Sequence, residues 1–154
     1  MDGFHILGEG APLDLIMKDG LLAGTKIMAE GMDTAALYKN RRPGKRCFAE
    51  YNLGFLQDMR RFLKSDEDMV PAVQYRIRHN PDDHGVINYI TCQDGFTLND
   101  LVSYNYKHNE ANGEGNNDGC SYNYSWNCGI EGPSRKQWIR QMLSLIHISE
   151  PTRR

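Results

Sequence analysis

The fold is first indicated by the stretch Val86-Ile87-Asn88-Tyr89-Ile90-Thr91, which runs into Cys92-Gln93-Asp94. Its β-branched and aromatic residues are typical of a short strand, and the polar pair at its end predicts where the strand stops. Shortly afterwards, Thr97-Leu98-Asn99-Asp100 has the pattern of a capping box. This pattern predicts a short helix through Val102 with Thr97 as its cap.

Further short strands and helices are predicted upstream of this stretch. The strands are predicted at residues 3–8, 25–29 and 48–51, and the helices at 12–18 and 53–64. In the longest helix the predicted buried residues are Phe55, Leu56, Met59, Phe62 and Leu63, and the predicted outward residues are Asp58, Arg60, Arg61 and Lys64. Strands that alternate with helices predict an α/β fold with parallel strands.

Composition and charge argue against several classes of protein. The chain of 154 residues has a formal net charge of −2, with acidic and basic residues mixed along it. Because it lacks the basic stripe that binding to a phosphate backbone needs, nucleic acid is not a predicted partner. No segment is apolar enough to span a bilayer and no secretion signal is visible, so we expect no membrane partner and a cytoplasmic location.

The cysteine spacing predicts neither a metal site nor a cofactor site. The four cysteines, Cys47, Cys92, Cys120 and Cys128, contain no C-x-x-C pair. Structural zinc sites usually have ligands paired at such spacing. We therefore predict reduced thiols, no bound metal and no cofactor.

The segment Asn105–Pro133 differs in composition from the rest of the chain. It is rich in Asn, Gly, Glu, Asp and Tyr and almost free of Leu, Ile and Val. A polar segment of this length is either disordered or a functional loop held by a scaffold. Its interleaved aromatic residues favour a packed loop, and both a loop that contacts carbohydrate and an ordinary packed loop fit this composition.

Two acidic residues follow predicted strands directly or closely. Glu30 follows the strand at 25–29, and Asp94 follows the strand that begins at Val86. In parallel α/β folds, active sites form where the carboxyl ends of strands meet. Paired carboxylates that flank a glycosidic bond catalyse sugar hydrolysis, although acidic residues at strand ends also cap helices.

The stretch Asn88–Asn105 resembles the fourth conserved region of the α-amylase superfamily, family 13 of the glycoside hydrolases. Its continuation, Lys107–Glu114 followed by Ser125–Gly132, resembles the branch of isoamylases and glycogen-debranching enzymes. That branch hydrolyses α-1,6 branch points in glycogen-like glucans. The resemblance therefore implies a branched α-glucan, such as glycogen or starch, as the binding partner.

The resemblance also implies a fold and two catalytic residues. The fold would be a fragment of a (β/α)8 TIM barrel covering about strands four to seven. Glu30 aligns with the general acid/base, which protonates the leaving oxygen and later activates water. Asp94 aligns with the third acid, which binds sugar hydroxyls and supports the oxocarbenium-like transition state.

Three departures from the family pattern lead to the hypothesis that the chain alone is inactive. His5 and Leu7 stand where the family has Arg and the nucleophilic Asp, and Gln93 stands where it usually has His. The stretch Glu30-Gly31-Met32 also lacks the usual Pro and Trp. Because a leucine side chain has no lone pair, it cannot attack an anomeric carbon. The alternatives are a non-catalytic glucan-binding paralogue and the product of a truncated reading frame.

The last twelve residues lead to a prediction about domain boundaries. Residues 143–154 resemble a translated adapter of transposon-based sequencing libraries, and the family would continue differently there. We therefore expect a partial glycoside hydrolase catalytic barrel at residues 1–142 and a non-native tail at residues 143–154.

Overall fold

The structure is a computed structural model, and it describes residues 15–16, 18–22, 25–30, 48–82, 84–92, 95–119 and 124–149. Its strands are β1, Ile27–Glu30, β2, Phe48–Tyr51, and β3, Gly85–Ile87. Its α-helices are α1, Leu53–Leu63, α2, Met69–Arg78, and α3, Gln137–Ser149. Single turns of 3-10 helix span Asp100–Val102 and Glu110–Asn112.

The three strands form one parallel sheet in the order β1-β2-β3. Helices α1 and α2 lie in the connection between β2 and β3, as a parallel crossover requires. The α/β class and the predicted strand at residues 48–51 are therefore confirmed. The strand predicted at residues 25–29 is present as β1, which begins two residues later and includes Glu30. The predicted strand at residues 3–8 lies outside the described residues. Of the helix predicted at 12–18, the described residues Leu15, Ile16 and Lys18 are helical.

The described residues divide into two compact units. One unit contains the sheet and comprises the described residues up to Gly54 together with Tyr75–Asn88. Its apolar core consists of Ile27, Ala29 and Phe48, against which Ile16 packs. Because side chains alternate along a strand, these residues all lie on one face of the sheet. We call this the sheet unit.

The other unit comprises Phe55–Gln74 and the described residues from Tyr89 onward, and we call it the loop unit. The buried core of this unit contains Phe55, Ile90, Phe96, Leu101, Val102, Cys128, Ile139 and Ile146. Cys92 and Cys128 are free thiols, and burial raises the pKa of Cys128. Helix α3 runs through residue 142 without interruption, and the proposed boundary at residues 142/143 stays a prediction.

Helix α1 confirms the predicted helix but corrects its predicted faces. Arg60, which we expected to point outward, is buried, and its Nε donates a hydrogen bond of 2.7 Å to the carbonyl oxygen of Ile90. Phe62, which we expected to be buried, is 40% exposed. At about 100° per residue, the buried stripe turns from Phe55 towards Arg60 and leaves Phe62 just beyond its edge.

Strand β3 is shorter than the stretch at residues 86–91 that predicted it. The strand ends at Ile87, and Tyr89–Thr91 have no regular secondary structure. Ile90 is instead fully buried in the core of the loop unit. Because Arg60 donates a hydrogen bond to the carbonyl oxygen of Ile90, this buried backbone group is satisfied without strand pairing.

The predicted cap at Thr97 is confirmed only in its hydrogen bond, because the residue that directly precedes the helical turn is Asn99, whose side chain makes no capping hydrogen bond. The backbone N–H of Asp100 donates to Thr97 Oγ1 over 3.2 Å, and the predicted short helix is the single 3-10 turn Asp100–Val102. Across the ranges that the structure describes, none of the helices is both long and apolar enough to cross a membrane.

Candidate active site at the carboxyl edge of the sheet

The carboxyl ends of the three strands come level with one another. Glu30, the last residue of β1, pairs in register with Tyr51, the last residue of β2. Tyr51 in turn pairs with Ile87, the last residue of β3. The sheet therefore ends in a straight edge, and the residues that follow each strand leave from the same line. We call this line the carboxyl edge.

Two asparagines link neighbouring strands just beyond this edge. Asn52 follows β2 and Asn88 follows β3, and Asn52 Nδ2 donates a hydrogen bond of 2.9 Å to Asn88 Oδ1. The backbone N–H of Asn52 also donates to the carbonyl oxygen of Ile87 over 2.9 Å. Asn52 is completely buried. A buried amide with these partners fixes where the chain leaves the sheet.

The side chain of Tyr51 lies on one face of the sheet beside Met28. The Tyr51 hydroxyl lies 3.8 Å from Met28 Sδ and donates a weak hydrogen bond to it. Strand alternation puts Met28, Tyr51 and Ile87 on the face opposite the apolar core of the sheet unit. A phenol at a strand end, half-buried on this face, could position a polar ligand.

A buried acid-base pair on the core face was missed in the sequence. Glu50 Oε2 lies 3.3 Å from His84 Nε2, and both side chains are almost completely buried. The His84 ring also packs against Phe48, with 5.8 Å between the ring centroids. Because Glu50 alternates with Tyr51, this pair lies on the other face of the sheet from Tyr51. A charged residue within the apolar pattern Phe-Ala-Glu-Tyr was the available signal.

The structure places one of the two predicted catalytic residues. The backbone of Glu30 ends β1 at the carboxyl edge, where the strand pattern predicted it. Asp94 lies outside the described residues, as do Gln93, His5 and Leu7. The assignment of Glu30 and Asp94 as catalytic residues therefore stays a prediction. Within the described ranges, no three His, Cys, Asp or Glu side chains form a group that could hold a metal ion.

A second polar arrangement lies in the loop unit and is centred on Glu131. Glu131 Oε2 accepts hydrogen bonds from Asn127 Nδ2 over 2.8 Å and from the backbone N–H of Asn105 over 3.2 Å. His108 Nε2 lies 3.0 Å from Glu131 Oε1. The hydrogen bonds with His108 and then Asn127 hold the pKa of Glu131 below its usual value. The Glu131 carboxylate thus connects Asn105, His108 and Asn127 within the polar segment Asn105–Pro133.

A further set of side chains orders the middle of the same segment. Asn116 Oδ1 accepts from the backbone N–H of Asn109 over 2.6 Å, and Asn116 Nδ2 donates to Glu110 Oε1 over 2.6 Å. Asn109 Nδ2 donates to Asp118 Oδ2 over 2.9 Å. In its described part the segment is therefore a hydrogen-bonded loop.

The aromatic residues of this loop divide into packed and exposed ones. Tyr104 packs against the core of the loop unit, whereas Tyr106 is 75% exposed. Tyr124 and Trp126 line a shallow, open groove, together with Leu63, Val102 and other residues of the loop unit. Tyr122 lies outside the described residues. The expectation of packed aromatics is confirmed for Tyr104.

Comparison with known proteins extends this description. No family model matches the chain. Isoamylase 3, chloroplastic, of Oryza sativa subsp. japonica is 45% identical over 140 aligned residues, which cover 80% of this chain and 18% of that protein. The glycogen debranching enzyme of Serratia proteamaculans is 39% identical over 161 aligned positions, which cover 92% of this chain and 24% of that protein.

A third relative is the glycogen operon protein GlgX homolog of Mycobacterium tuberculosis. It is 36% identical over 157 aligned positions, which cover 90% of this chain and 22% of that protein. The chain therefore spans about a fifth of the length of the curated relatives it matches.

These identities extend over at least 80% of the chain, and the described strands form a parallel sheet, as in an α/β protein. The chain is a relative of the glycoside hydrolases of the α-amylase type. Within that class it is related to the isoamylases and the glycogen debranching enzymes. The resemblance carried by Asn88–Asn105, Lys107–Glu114 and Ser125–Gly132 is confirmed at this level.

Proposed function

We propose that the protein containing this chain acts on branched α-glucans of the glycogen or starch type as an α-1,6-glucan debranching hydrolase. The observation that carries this proposal is the identity of 36–45% to relatives named isoamylase, glycogen debranching enzyme and glycogen operon protein. Each alignment includes at least 80% of the chain.

The proposed architecture is a (β/α)8 barrel in which β1, β2 and β3 are the fifth, sixth and seventh strands. Two features support it: the strands are parallel and in sequence order, and β2 leads to β3 through helices. In barrels of this kind the substrate binds at the carboxyl ends of the strands. The level carboxyl edge that begins at Glu30 is such a place.

In this proposal Glu30 and Asp94 carry the acid chemistry. Glu30 ends β1 and would protonate the oxygen of the leaving glucan and later deprotonate water. Asp94, seven residues beyond the end of β3 at Ile87, would hold sugar hydroxyls and support the positive charge of the transition state. The hydrogen bond between Asn52 and Asn88 fixes where the chain leaves β3.

A second candidate function is glucan binding without hydrolysis, and Leu7 favours it. The resemblance to the α-amylase superfamily implies that this residue takes the position of the nucleophilic aspartate. A retaining mechanism needs a carboxylate that forms a covalent bond with the sugar. Without it, the remaining acids could bind a glucan but would scarcely cleave it.

The two candidates are separated by measuring binding and hydrolysis independently. The intact gene product that carries this chain is incubated with glycogen, new reducing ends are counted, and retention by glycogen is measured in affinity gels. The variants are Glu30→Gln and Leu7→Asp, with Leu21→Asp as a matched control because Leu21 is 92% exposed.

The debranching hydrolase is supported if the unaltered protein hydrolyses glycogen and the rate falls at least about a thousandfold in Glu30→Gln. Glycogen binding without hydrolysis, together with new hydrolysis in Leu7→Asp but not in Leu21→Asp, supports the binding protein. If the protein neither binds nor hydrolyses glycogen, both candidate functions are contradicted.

A further inference from the structure

One dipeptide in the segment Asn105–Pro133, which we call the polar loop, has a chemical reactivity that does not depend on the proposed function. Asn112-Gly113 is the only Asn-Gly pair in the sequence. Asn112 ends the 3-10 turn Glu110–Asn112, and both residues of the pair are exposed. Glycine leaves its own backbone nitrogen unshielded because it has no side chain.

We infer that Asn112 is a site of spontaneous deamidation through cyclisation onto the backbone nitrogen of Gly113. That nitrogen loses its proton to hydroxide or water, and its lone pair forms a bond to Asn112 Cγ. The bond from Cγ to the carboxamide nitrogen breaks, and this nitrogen leaves as ammonia after it takes up a proton. Water then opens the cyclic imide at either carbonyl to give aspartate or isoaspartate.

The contacts of the Asn112 carboxamide favour the first step. The backbone N–H of Glu114 donates a hydrogen bond of 2.8 Å to Asn112 Oδ1. This is an Asx turn, in which the side-chain carbonyl is held by the backbone two residues on. Negative charge develops on Oδ1 as the nitrogen attacks, and a donor already in place stabilises that charge.

The attacking nitrogen is only weakly engaged. The N–H of Gly113 donates to the carbonyl oxygen of Glu110 over 3.4 Å, beyond the usual range for such bonds. Gly113 has a φ of +82°, and nothing lies within 4 Å of the place where a Cβ would be. Little hydrogen bonding is therefore given up when this nitrogen loses its proton, and the backbone has room to move as the ring closes.

Asn116 lies four residues away and provides an internal comparison. Its Nδ2 donates to Glu110 Oε1 over 2.6 Å and its Oδ1 accepts from the backbone N–H of Asn109 over 2.6 Å. The next residue is Asn117, whose side chain crowds its backbone nitrogen. The leaving nitrogen of Asn116 is thus held by Glu110 and the attacking nitrogen is crowded, so this residue is expected to react slowly.

Deamidation would change the charge of the loop. An aspartate or isoaspartate at position 112 adds a negative charge between Glu110 and Glu114. Isoaspartate also inserts a methylene into the main chain, which removes the Asx turn. The loop would therefore exist in an original form and an aged form within one preparation.

The test follows the 154-residue chain over time at neutral and at mildly alkaline pH. Samples are digested, and mass spectrometry locates the mass increase that replacing an amide NH2 by OH produces. The controls are a synthetic peptide of residues 108–118, the variant Asn112→Gln, which removes the reactive carboxamide, and Gly113→Ala, which shields the nitrogen.

In the folded chain we expect initial modification at Asn112 at least about tenfold faster than at Asn116, a barrier difference of about 1.4 kcal/mol. We also expect it to be faster at alkaline pH, no slower than in the peptide, and largely lost in both variants. Modification of Asn112 in the peptide but not in the folded chain would overturn the inference. Equal rates at Asn112 and Asn116 in the folded chain would overturn it as well.

Discussion

The sheet unit and the polar loop at residues 105–133 satisfy the hydrogen bonds of their backbone groups in different ways. In the sheet, neighbouring strands pair in parallel register, and an apolar core of Ile27, Ala29 and Phe48 covers one face. In the loop, backbone N–H groups are bonded by side-chain oxygens. Those of Asn105 and Asn109 donate to Glu131 and Asn116, respectively.

This difference determines which substitutions each region tolerates. A strand ladder uses main-chain atoms alone, so the sheet depends on the volume and apolarity of its core side chains. A loop held by carboxylate and carboxamide oxygens depends on the identity of individual polar residues. Substitutions that change volume, hydrogen bonding, backbone conformation or charge should therefore affect the two regions differently.

The largest effect is expected from Ile27→Ala in the sheet unit. Ile27 is 7% exposed, and its truncation leaves a cavity against Phe48. Such changes lower the free energy of unfolding by about 2–5 kcal/mol, measured by urea unfolding followed by circular dichroism. The matched control is Leu21→Ala, since Leu21 is 92% exposed and should change stability by less than about 0.5 kcal/mol. Equal losses in the two variants would show that β1 has no buried core.

A smaller loss is expected when the amide bridge beyond the carboxyl edge is removed. In Asn52→Leu the volume is nearly kept, but Asn88 Oδ1 loses its donor. Because Asn88 is half-buried, loss of this hydrogen bond should cost about 1.5 kcal/mol in the same unfolding measurement, the upper end for a typical hydrogen bond. Asn80→Leu changes an exposed asparagine of the same unit and is expected to be near neutral. If both variants unfold at the same urea concentration, the bridge contributes nothing.

Backbone conformation alone is probed by Gly129→Ala. Gly129 has a φ of +79°, and nothing lies within 4 Å of the place of its Cβ. An L-residue in this left-handed conformation costs about 1–2 kcal/mol, measured as a loss in the free energy of unfolding. Gly20→Ala in the sheet unit also has open space, but Gly20 has no positive φ, so this control should be neutral or slightly stabilising. A stabilised Gly129→Ala would contradict the assigned loop conformation.

The smallest effect is a local one at Glu131. The hydrogen bond with His108, and then that with Asn127, lowers the pKa of Glu131. The ionised carboxylate therefore stabilises the loop fully at pH values above the usual pKa of a Glu side chain. This contribution is lost as the pH falls through the lowered pKa. Hydrogen exchange of the Asn105 N–H, corrected for intrinsic pH dependence, should accelerate over that acid range.

In the variant Glu131→Gln, the Asn105 N–H should exchange faster at neutral pH. Its exchange rate should show no acceleration over the acid range in which Glu131 is protonated. Glu114→Gln is the matched control in the same loop and should keep this acceleration. An acceleration that persists in Glu131→Gln would assign it to another group.

The sequence predicted the sheet well because strand periodicity is a local property. The bounds of β2 and the end of β1 at Glu30 follow from short apolar runs next to polar residues. The faces of α1 were less predictable, because Arg60 is buried by a tertiary hydrogen bond to Ile90 that lies 30 residues away. Strand β3 was overestimated for the same reason: Ile90 has the composition of a strand residue but packs elsewhere.

The candidate site could be predicted only in part. The position of Glu30 at a strand end is visible in the sequence. The pairs Glu50 with His84 and His108 with Glu131 join residues far apart in the chain, and no local pattern encodes them. A single acid in an apolar strand indicated Glu50, whereas Glu131 is one of several acids in a polar segment and had no distinguishing signal.

The bridge from Asn52 to Asn88 joins two carboxamides, and neither gains or loses a proton in the range where proteins are folded. The spacing of the strand exits is therefore set by groups that acid and alkali leave unchanged. A change of pH therefore cannot act on the exits of β2 and β3 through this bridge.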